Sequence, residues 1–416
     1  MKLVRIILFM FLPLMCNAQL LHTAVPYVRS LRMELNGEWN SLPVMVLGGD
    51  DVIQFSFDEM SHAYRRFTYR ITHCNADWSK SDLLEIDYLQ GFNDVPVEEW
   101  ENSVNTTQLY THYSFSLPNE DVALLISGNY KVELFDDESD DDIPVAEFCF
   151  SVVEPSVRVT GTVSGDTDVS FNEDRQQLSF TVDCSACRIA SPADEVKPVI
   201  YQNRRPDSAV HGIKPTYITG NTLEYVHNNA LIFYAGNEYR RFELTHPNRP
   251  GMGVEDVVLS GDEYHVLLYM DRQRVNHSSY IDENGRYYVN THEGYGSPIE
   301  ADYVYVHFAL DVPYREGGNY YLLGDMCNNR FSSENRLDYD PEGGYYHTTQ
   351  LLKLGLYNYM YVWLPDGGTV AQTSIAEGDL YNTGNEYLIY IYYRAFGERY
   401  DRLIGVCPVT YSLEEN

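Results

Sequence analysis

Arg66-Phe67-Thr68-Tyr69-Arg70-Ile71-Thr72 is the stretch whose reading decides the fold class. Phe67, Tyr69 and Ile71 alternate with Thr68, Arg70 and Thr72. A period of two puts the apolar three on one face of an extended chain and the polar three on the other. The stretch reads as a half-buried strand. Working outward, Tyr130-Lys131-Val132-Glu133-Leu134-Phe135 follows Ser127-Gly128-Asn129, and Glu147-Phe148-Cys149-Phe150-Ser151-Val152 follows an acidic turn, which predicts a hairpin. Glu154-Pro155 closes that region, because a proline cannot donate to a ladder. Further strands are expected at 157–160, 178–182, 198–201, 264–269, 303–308, 356–363 and 387–393, divided by Gly, Asn and Asp turns.

So many short strands with so little helical periodicity predict an all-β chain of tandem immunoglobulin-like β-sandwich domains. At about 100–150 residues per domain, 416 residues suggest three of them behind a leader. The expected boundaries are a signal peptide at 1–18, an N-terminal sandwich at 19–155, a middle one at 156–298 and a C-terminal one at 299–416. The turn-rich run from Asp282-Glu283-Asn284-Gly285 to Gly296-Ser297-Pro298 supplies the last boundary. Two similar tetrapeptides, Gly236-Asn237-Glu238-Tyr239 and Gly384-Asn385-Glu386-Tyr387, each precede an apolar strand; they are too short to establish a duplication.

The leader is read from Lys2 and Arg5 ahead of the apolar run 6–12, with Cys16-Asn17-Ala18 before Gln19. Small residues at the cleavage subsites make it a secretory signal cut between Ala18 and Gln19. The run is shorter than the roughly 20 residues that span a bilayer. Met15 stands where a lipobox needs a small residue, so Cys16 is not expected to carry lipid. Loss of Lys2 and Arg5 from 29 basic residues leaves 27 against 61 acidic ones. Nucleic acid and anionic membrane surfaces repel such a chain, and neither is expected as a partner.

Six cysteines remain: Cys74, Cys149, Cys184, Cys187, Cys327 and Cys407. Only Cys184-x-x-Cys187 is close in sequence, and no second pair completes a zinc site, so the two read as strand-edge thiols or a local disulfide. The acidic run 136–142 lacks the spacing and central Gly of an EF-hand and reads as a solvated hairpin tip. Gly-x-Ser-x-Gly, His-Glu-x-x-His and phosphate-binding Gly loops are absent from the sequence, which removes several enzyme classes. Two further readings stay open: paired carboxylates of a β-sandwich glycoside hydrolase, and a glycan-binding module in the third region. The second rests on Tyr321–Gly324 and on Lys353-Leu354-Gly355-Leu356-Tyr357-Asn358-Tyr359, whose tyrosines could stack on sugars or cover a sheet. Cys327 and Asn328 stand where such modules often carry Trp.

The most specific stretch is Tyr69-Arg70-Ile71-Thr72-His73-Cys74-Asn75-Ala76-Asp77-Trp78, followed by Gly91-Phe92, Leu117-Pro118-Asn119 and Ser127-Gly128-Asn129-Tyr130. It resembles the first domain of the plug protein family of the type 9 secretion system of Bacteroidetes. The resemblance continues through Asn237-Glu238-Tyr239-Arg240 and Asn385-Glu386-Tyr387, with Tyr239 in place of an expected Phe. It ends on Arg394-Ala395-Phe396-Gly397-Glu398-Arg399-Tyr400-Asp401. It implies a periplasmic subunit without cofactor or catalytic set, held at the inner face of the outer membrane. Its implied partner is the large translocon β-barrel, whose periplasmic opening it closes. His73, Cys74, Asp77, Trp78, Gly91, Phe92, Asn237, Glu238, Arg240, Asn385, Glu386, Tyr387, Arg394, Phe396, Gly397, Tyr400 and Asp401 carry the resemblance and are expected to be structural. For His73-Cys74 the residues themselves say why: neighbours on a strand face opposite ways and make no nucleophilic pair.

Overall fold

The deciding stretch lies in the strand Phe67–Cys74, and its alternation is the observed one: Phe67, Tyr69 and Ile71 are buried, with Thr68, Arg70 and Thr72 partly exposed between them. This computed structural model describes residues 21–139, 142–187, 189–278, 280–291 and 297–412. The expected cleavage site at Ala18 and Gln19 lies outside them. The described chain is mostly β, in several largely antiparallel sheets, and its helices are single turns such as Glu85–Tyr88 and Pro192–Glu195. No described helix is long and apolar enough to cross a membrane.

Two sheets enclose the first core. One runs Leu21–Thr23, Ala146–Val153, Gly128–Asp136, Phe67–Cys74 and Val95–Pro96, with the expected hairpin at its centre. The other runs Val28–Leu35, Ile53–Glu59, Thr111–Leu117 and Glu99–Asn102. Phe55, Phe57, Tyr69, Tyr113, Phe115, Phe148 and Phe150 fill the space between them in stacked and edge-to-face pairs.

Beyond Pro155 the strands do not pair in chain order. Val196–Gln202 pairs with Asn385–Tyr393, which pairs with Arg402–Tyr411, and this sheet closes a core with Arg158–Ser164, Arg175–Asp183 and Thr222–Tyr225. Residues 240–365 form a third core: Arg240–Leu244 pairs with Gly355–Pro365, and Val254–Ser260, Glu263–Leu268, Tyr303–Asp311 and Tyr345–Lys353 make the facing sheet. The expected cut at 298/299 is therefore corrected. The third unit is inserted into the middle one, whose last two strands come after it. Sequence spacing sees strands along the chain, whereas the partner of Val196–Gln202 lies almost two hundred residues away.

Strand Asn385–Tyr393 shows the cost of burying a sheet on both sides. Tyr387, Ile389 and Ile391 face the middle core, while Leu388, Tyr390 and Tyr392 meet Ala76, Val153, Val199 and Leu403 toward the first unit. Its run Tyr-Leu-Ile-Tyr-Ile-Tyr cannot alternate, because no face reaches water.

Candidate docking face and the seams behind it

Residues read as one signature fall into three places. At the seam between the first and middle units, His73 is fully buried. Its Nδ1 lies 2.9 Å from Ser81 Oγ and its Nε2 3.2 Å from the Ser127 carbonyl. The rings of Tyr130 and Tyr400 stand edge-on at 5.0 and 5.3 Å. Burial pushes the imidazole down to about 4, so it is neutral at pH 7. Gly128 is required here, since a Cβ would sit 2.3 Å from His73 Nε2. Cys74 points the other way, into a cluster with Trp78 and Cys149. Cys184 and Cys187 form no disulfide in the structure and stay as two thiols.

The turn after this strand carries the seam's polar tie. Buried Asp401 accepts from Ala76 N at 3.0 Å and pairs with Lys197 Nζ at 2.7 Å and Arg394 Nε at 3.0 Å. Arg394 also donates to Asn75 Oδ1. Asp77 is exposed and closes the turn by accepting from Ser79 N and Oγ at 3.0 and 2.5 Å. Tyr392 OH donates to Asn129 Oδ1 at 2.8 Å.

The second place is where the chain leaves the middle unit for the inserted one and where it returns. The two similar tetrapeptides stand at these two crossings and bond to each other. Gly384 N donates to Glu238 Oε1 at 2.7 Å, Thr383 Oγ1 to the Gly236 carbonyl at 2.8 Å and Asn385 Nδ2 to the Ala235 carbonyl at 2.8 Å. Tyr387 OH and Asn385 Nδ2 both donate to Gln176 Oε1, at 2.8 and 2.9 Å. Glu386 pairs with Arg286 of the inserted unit and, at 3.5 Å, with Arg204 of the middle one. Asn237 Nδ2 donates to the carbonyls of Asn276 and Glu377 at 3.0 and 2.9 Å. Arg240 grips fully buried Glu377 at 3.0 and 3.1 Å and Asp271 at 2.6 Å. Burial works to raise Glu377, but Arg240 and Arg274 outweigh it and hold the carboxyl below its ordinary range.

Sequence reasoning missed several partners here, Asp282 above all. It accepts from Tyr239 N and from Asn284 N at 2.7 Å and hydrogen-bonds Glu238, also buried. Burial first, and then Glu238 beside it, push Asp282 up to about 7; burial raises Glu238 as well. Both carboxyls are buried side by side at the crossing, and each is tied to backbone: Asp282 to Tyr239 N and Asn284 N, Glu238 to Gly384 N. Also missed was the tie of the first unit to the inserted one: buried Asp58 meets Lys353 Nζ at 2.6 Å and Tyr303 OH at 2.6 Å, and Tyr110 OH donates to the carbonyls of Pro298 and Ala301 at 2.9 Å. No local pattern marks an Asp and a Lys so far apart in the chain.

The third place is the surface. Gly91 is structural, at φ +111° with Asp121 O only 1.9 Å from where its Cβ would be. The next residue differs: Phe92 is 86% exposed and Phe396 101%, so neither of these two residues, expected to be structural, is packed in a core. Gly397, at φ +89° with open space around it, forms the tip of the turn closed by Glu398 N on Ala395 O at 3.0 Å. Among the described residues no group of three or more His, Cys, Asp or Glu is placed to hold a metal.

Residues 28–154 match the family model described as "Type 9 secretion system plug protein 1st domain". A crystal structure of a hypothetical protein from Parabacteroides merdae ATCC 43184 is 38% identical, with 94% of this chain and 99% of that one covered at a TM-score of 0.92. A structure from Corynebacterium diphtheriae, described as that of a membrane anchored protein, is 8% identical over 92% of this chain and 91% of that one, at a TM-score of 0.14. No curated protein matches.

Proposed function

For a chain that belongs to the type 9 secretion system plug protein family, we propose the work of a plug: a non-enzymatic periplasmic subunit that closes the periplasmic opening of the outer-membrane translocon barrel. The observation that carries this reading is the family match over 28–154. On it, export removes residues 1–18, and each unit is an immunoglobulin-like sandwich. The architecture suits the task. The first unit is tied to the middle one at Asp401 and to the inserted one at Asp58, so the units can press on a barrel rim as one body. The charged clusters found are consumed in these ties. The glycan-binding alternative loses most of its platform, because Tyr357 and Tyr359 are buried in the inserted core and Tyr321 is partly buried against Leu323 and Met360.

Deleting the gene should raise entry of large antibiotics that the outer membrane excludes and leave glycan use unchanged. Tagged wild-type protein should bring the barrel down with it. An impermeable deletion strain holding an assembled, unoccupied translocon would sink the assignment.

A further inference from the structure

Exposed apolar residues are ordinary when they are scattered and informative when they gather. Leu84 and Ile86 are 65% and 79% exposed in and beside the helical turn Glu85–Tyr88, and the short strand Leu89–Gly91 leads from it straight to Phe92. On the other side, Arg399 reaches from the Phe396 turn to Asp87 at 3.0 Å and to the Asp82 carbonyl at 3.5 Å. Residues from two ends of the chain thus flank one helical turn, across the seam between the first and middle units.

The turn is also held rigid. Arg394 is fixed on Asp401 at its start, Arg402 on Glu398 at 2.6 Å at its end, and Arg399 on Asp87 between them. Glu398 reaches back to Ala395 N at 3.3 Å. Arg394 on Asp401 also ties the seam, but the other three contacts hold a Phe wholly in water and do nothing for the core. They do lower the ordering cost of an anchor that will be buried later.

We propose that Leu84, Ile86, Phe92 and Phe396 form one docking ridge, whose partner is a protein surface of apolar pockets rimmed by Lys and Arg; this rests on the plug reading and makes the ridge the face that meets the barrel's periplasmic rim. Charge selects that occupant. Exposed Asp82 and Glu85 border the ridge at the helix, and Glu120-Asp121, whose backbone touches Gly91, border it at Phe92. The whole chain carries a net charge of −32. A second copy would bring the same acids against these, and an anionic bilayer would repel them, whereas basic residues around apolar pockets complete both halves of the surface.

The test uses full-length tagged protein captured from the outer membrane. F92S/F396S should hold the barrel about tenfold or more weakly than wild type, as loss of central aromatic anchors does. Its urea midpoint should not move, because neither ring is packed. D82K/E85K should also weaken capture and flatten its dependence on salt. Wild-type capture with F92S/F396S within about twofold of it overturns the ridge and leaves the plug reading standing. Wild type that captures no barrel overturns the plug reading itself. Phenylalanine-dependent self-association in sedimentation, or phenylalanine-dependent binding to phosphatidylglycerol vesicles, would replace the basic-rimmed partner with a second copy or a lipid surface.

Discussion

The seam between the first and middle units and the seam between the middle and inserted units bury similar kinds of surface by opposite means. At the first, Leu388, Tyr390, Tyr392, Val199 and Val153 meet with few charges. At the second, Glu238, Asp282, Arg240, Arg274, Asp271 and Glu377 are crowded together. The difference follows from the backbone. The first seam joins strands whose N–H and C=O groups are already spent in ladders, so side chains there are free to be apolar. The second contains two chain crossings, 234–239 and 380–384, most of whose backbone is in no ladder. Buried N–H and C=O groups must find partners somewhere. Glu238, Asn385, Gln176 and Asp379 serve Gly384 N, Gly236 N and the carbonyls of Ala235, Tyr381 and Thr383, and Asn237 serves Glu238 N and the carbonyls of Asn276 and Glu377. A seam is polar here where the chain passes through it and apolar where sheets only lie against each other.

The largest effect should come from breaking the second seam's ion cluster. Glu377→Ala removes the acceptor shared by Arg240, Arg274 and Tyr361 N and leaves two guanidinium groups buried without it. The expected loss is about 3–5 kcal/mol, read as a drop in the urea midpoint. The matching substitution at the first seam, Asp401→Asn, keeps an acceptor for Ala76 N and loses pairs with two partly exposed cations, so about 1 kcal/mol is expected. Equal losses at the two sites would remove the contrast.

How far the sequence reached follows the same division. Strands were legible wherever one face met water, as at Phe67–Cys74, because alternation records burial directly. The hairpin and its turn were legible too, from Ser127-Gly128-Asn129. The order of strands after Pro155 was not, since pairing partners separated by an inserted unit leave no local periodicity. One signal of the insertion was present: the two tetrapeptides mark the two crossings, and each needs its Asn for the same reason, loose backbone in a buried place, while Glu238 serves backbone and Glu386 pairs with arginines. For Phe92 and Phe396 the resemblance implied a structural role, and only accessibility separates an anchor waiting for a partner from a core ring.

Acid should separate the seams next. His73 is held neutral down to about 4 against an ordinary 6.5. The unfolded chain therefore binds a proton below 6.5 that the native chain refuses, and this stabilisation, complete above 6.5, is lost between 6.5 and 4, by about 3 kcal/mol. Asp282 has the other sign. Raised from 3.8 to about 7, it stabilises the fold fully below 3.8 and loses that contribution as pH rises through 7. Over their shared window the two slopes oppose each other, so the wild type should respond to pH less than either variant does. In urea titrations between about pH 4.5 and 7, His73→Gln should gain stability on acidification and Asp282→Asn should lose it. Parallel slopes in the two variants would show that the seams do not titrate separately.

The smallest expected difference tests what packing adds to the first seam beside the Asp401 tie, and it turns on Trp78. The ring packs against Cys74 and Cys149, and its Nε1 lies 3.5 Å from Tyr201 OH, too long for a strong bond. The backbone beneath it is at φ +64°, a region that bulky residues avoid, and Trp78 N donates to Asn75 O at 2.9 Å to close the turn. Packing thus overcomes a local conformational cost. Trp78→Ala keeps a Cβ in the left-handed region and loses the ring, and it should cost about 3 kcal/mol. Trp78→Gly loses the same ring but releases the backbone, so it should be the milder of the two by about 1 kcal/mol. That reverses the usual order, in which Gly in an ordered segment is worse than Ala. The measurement is the urea midpoint of both variants side by side. Gly below Ala would mean that the positive φ carries no cost here and that the turn, rather than the ring, secures the joint on which the Phe396 loop is mounted.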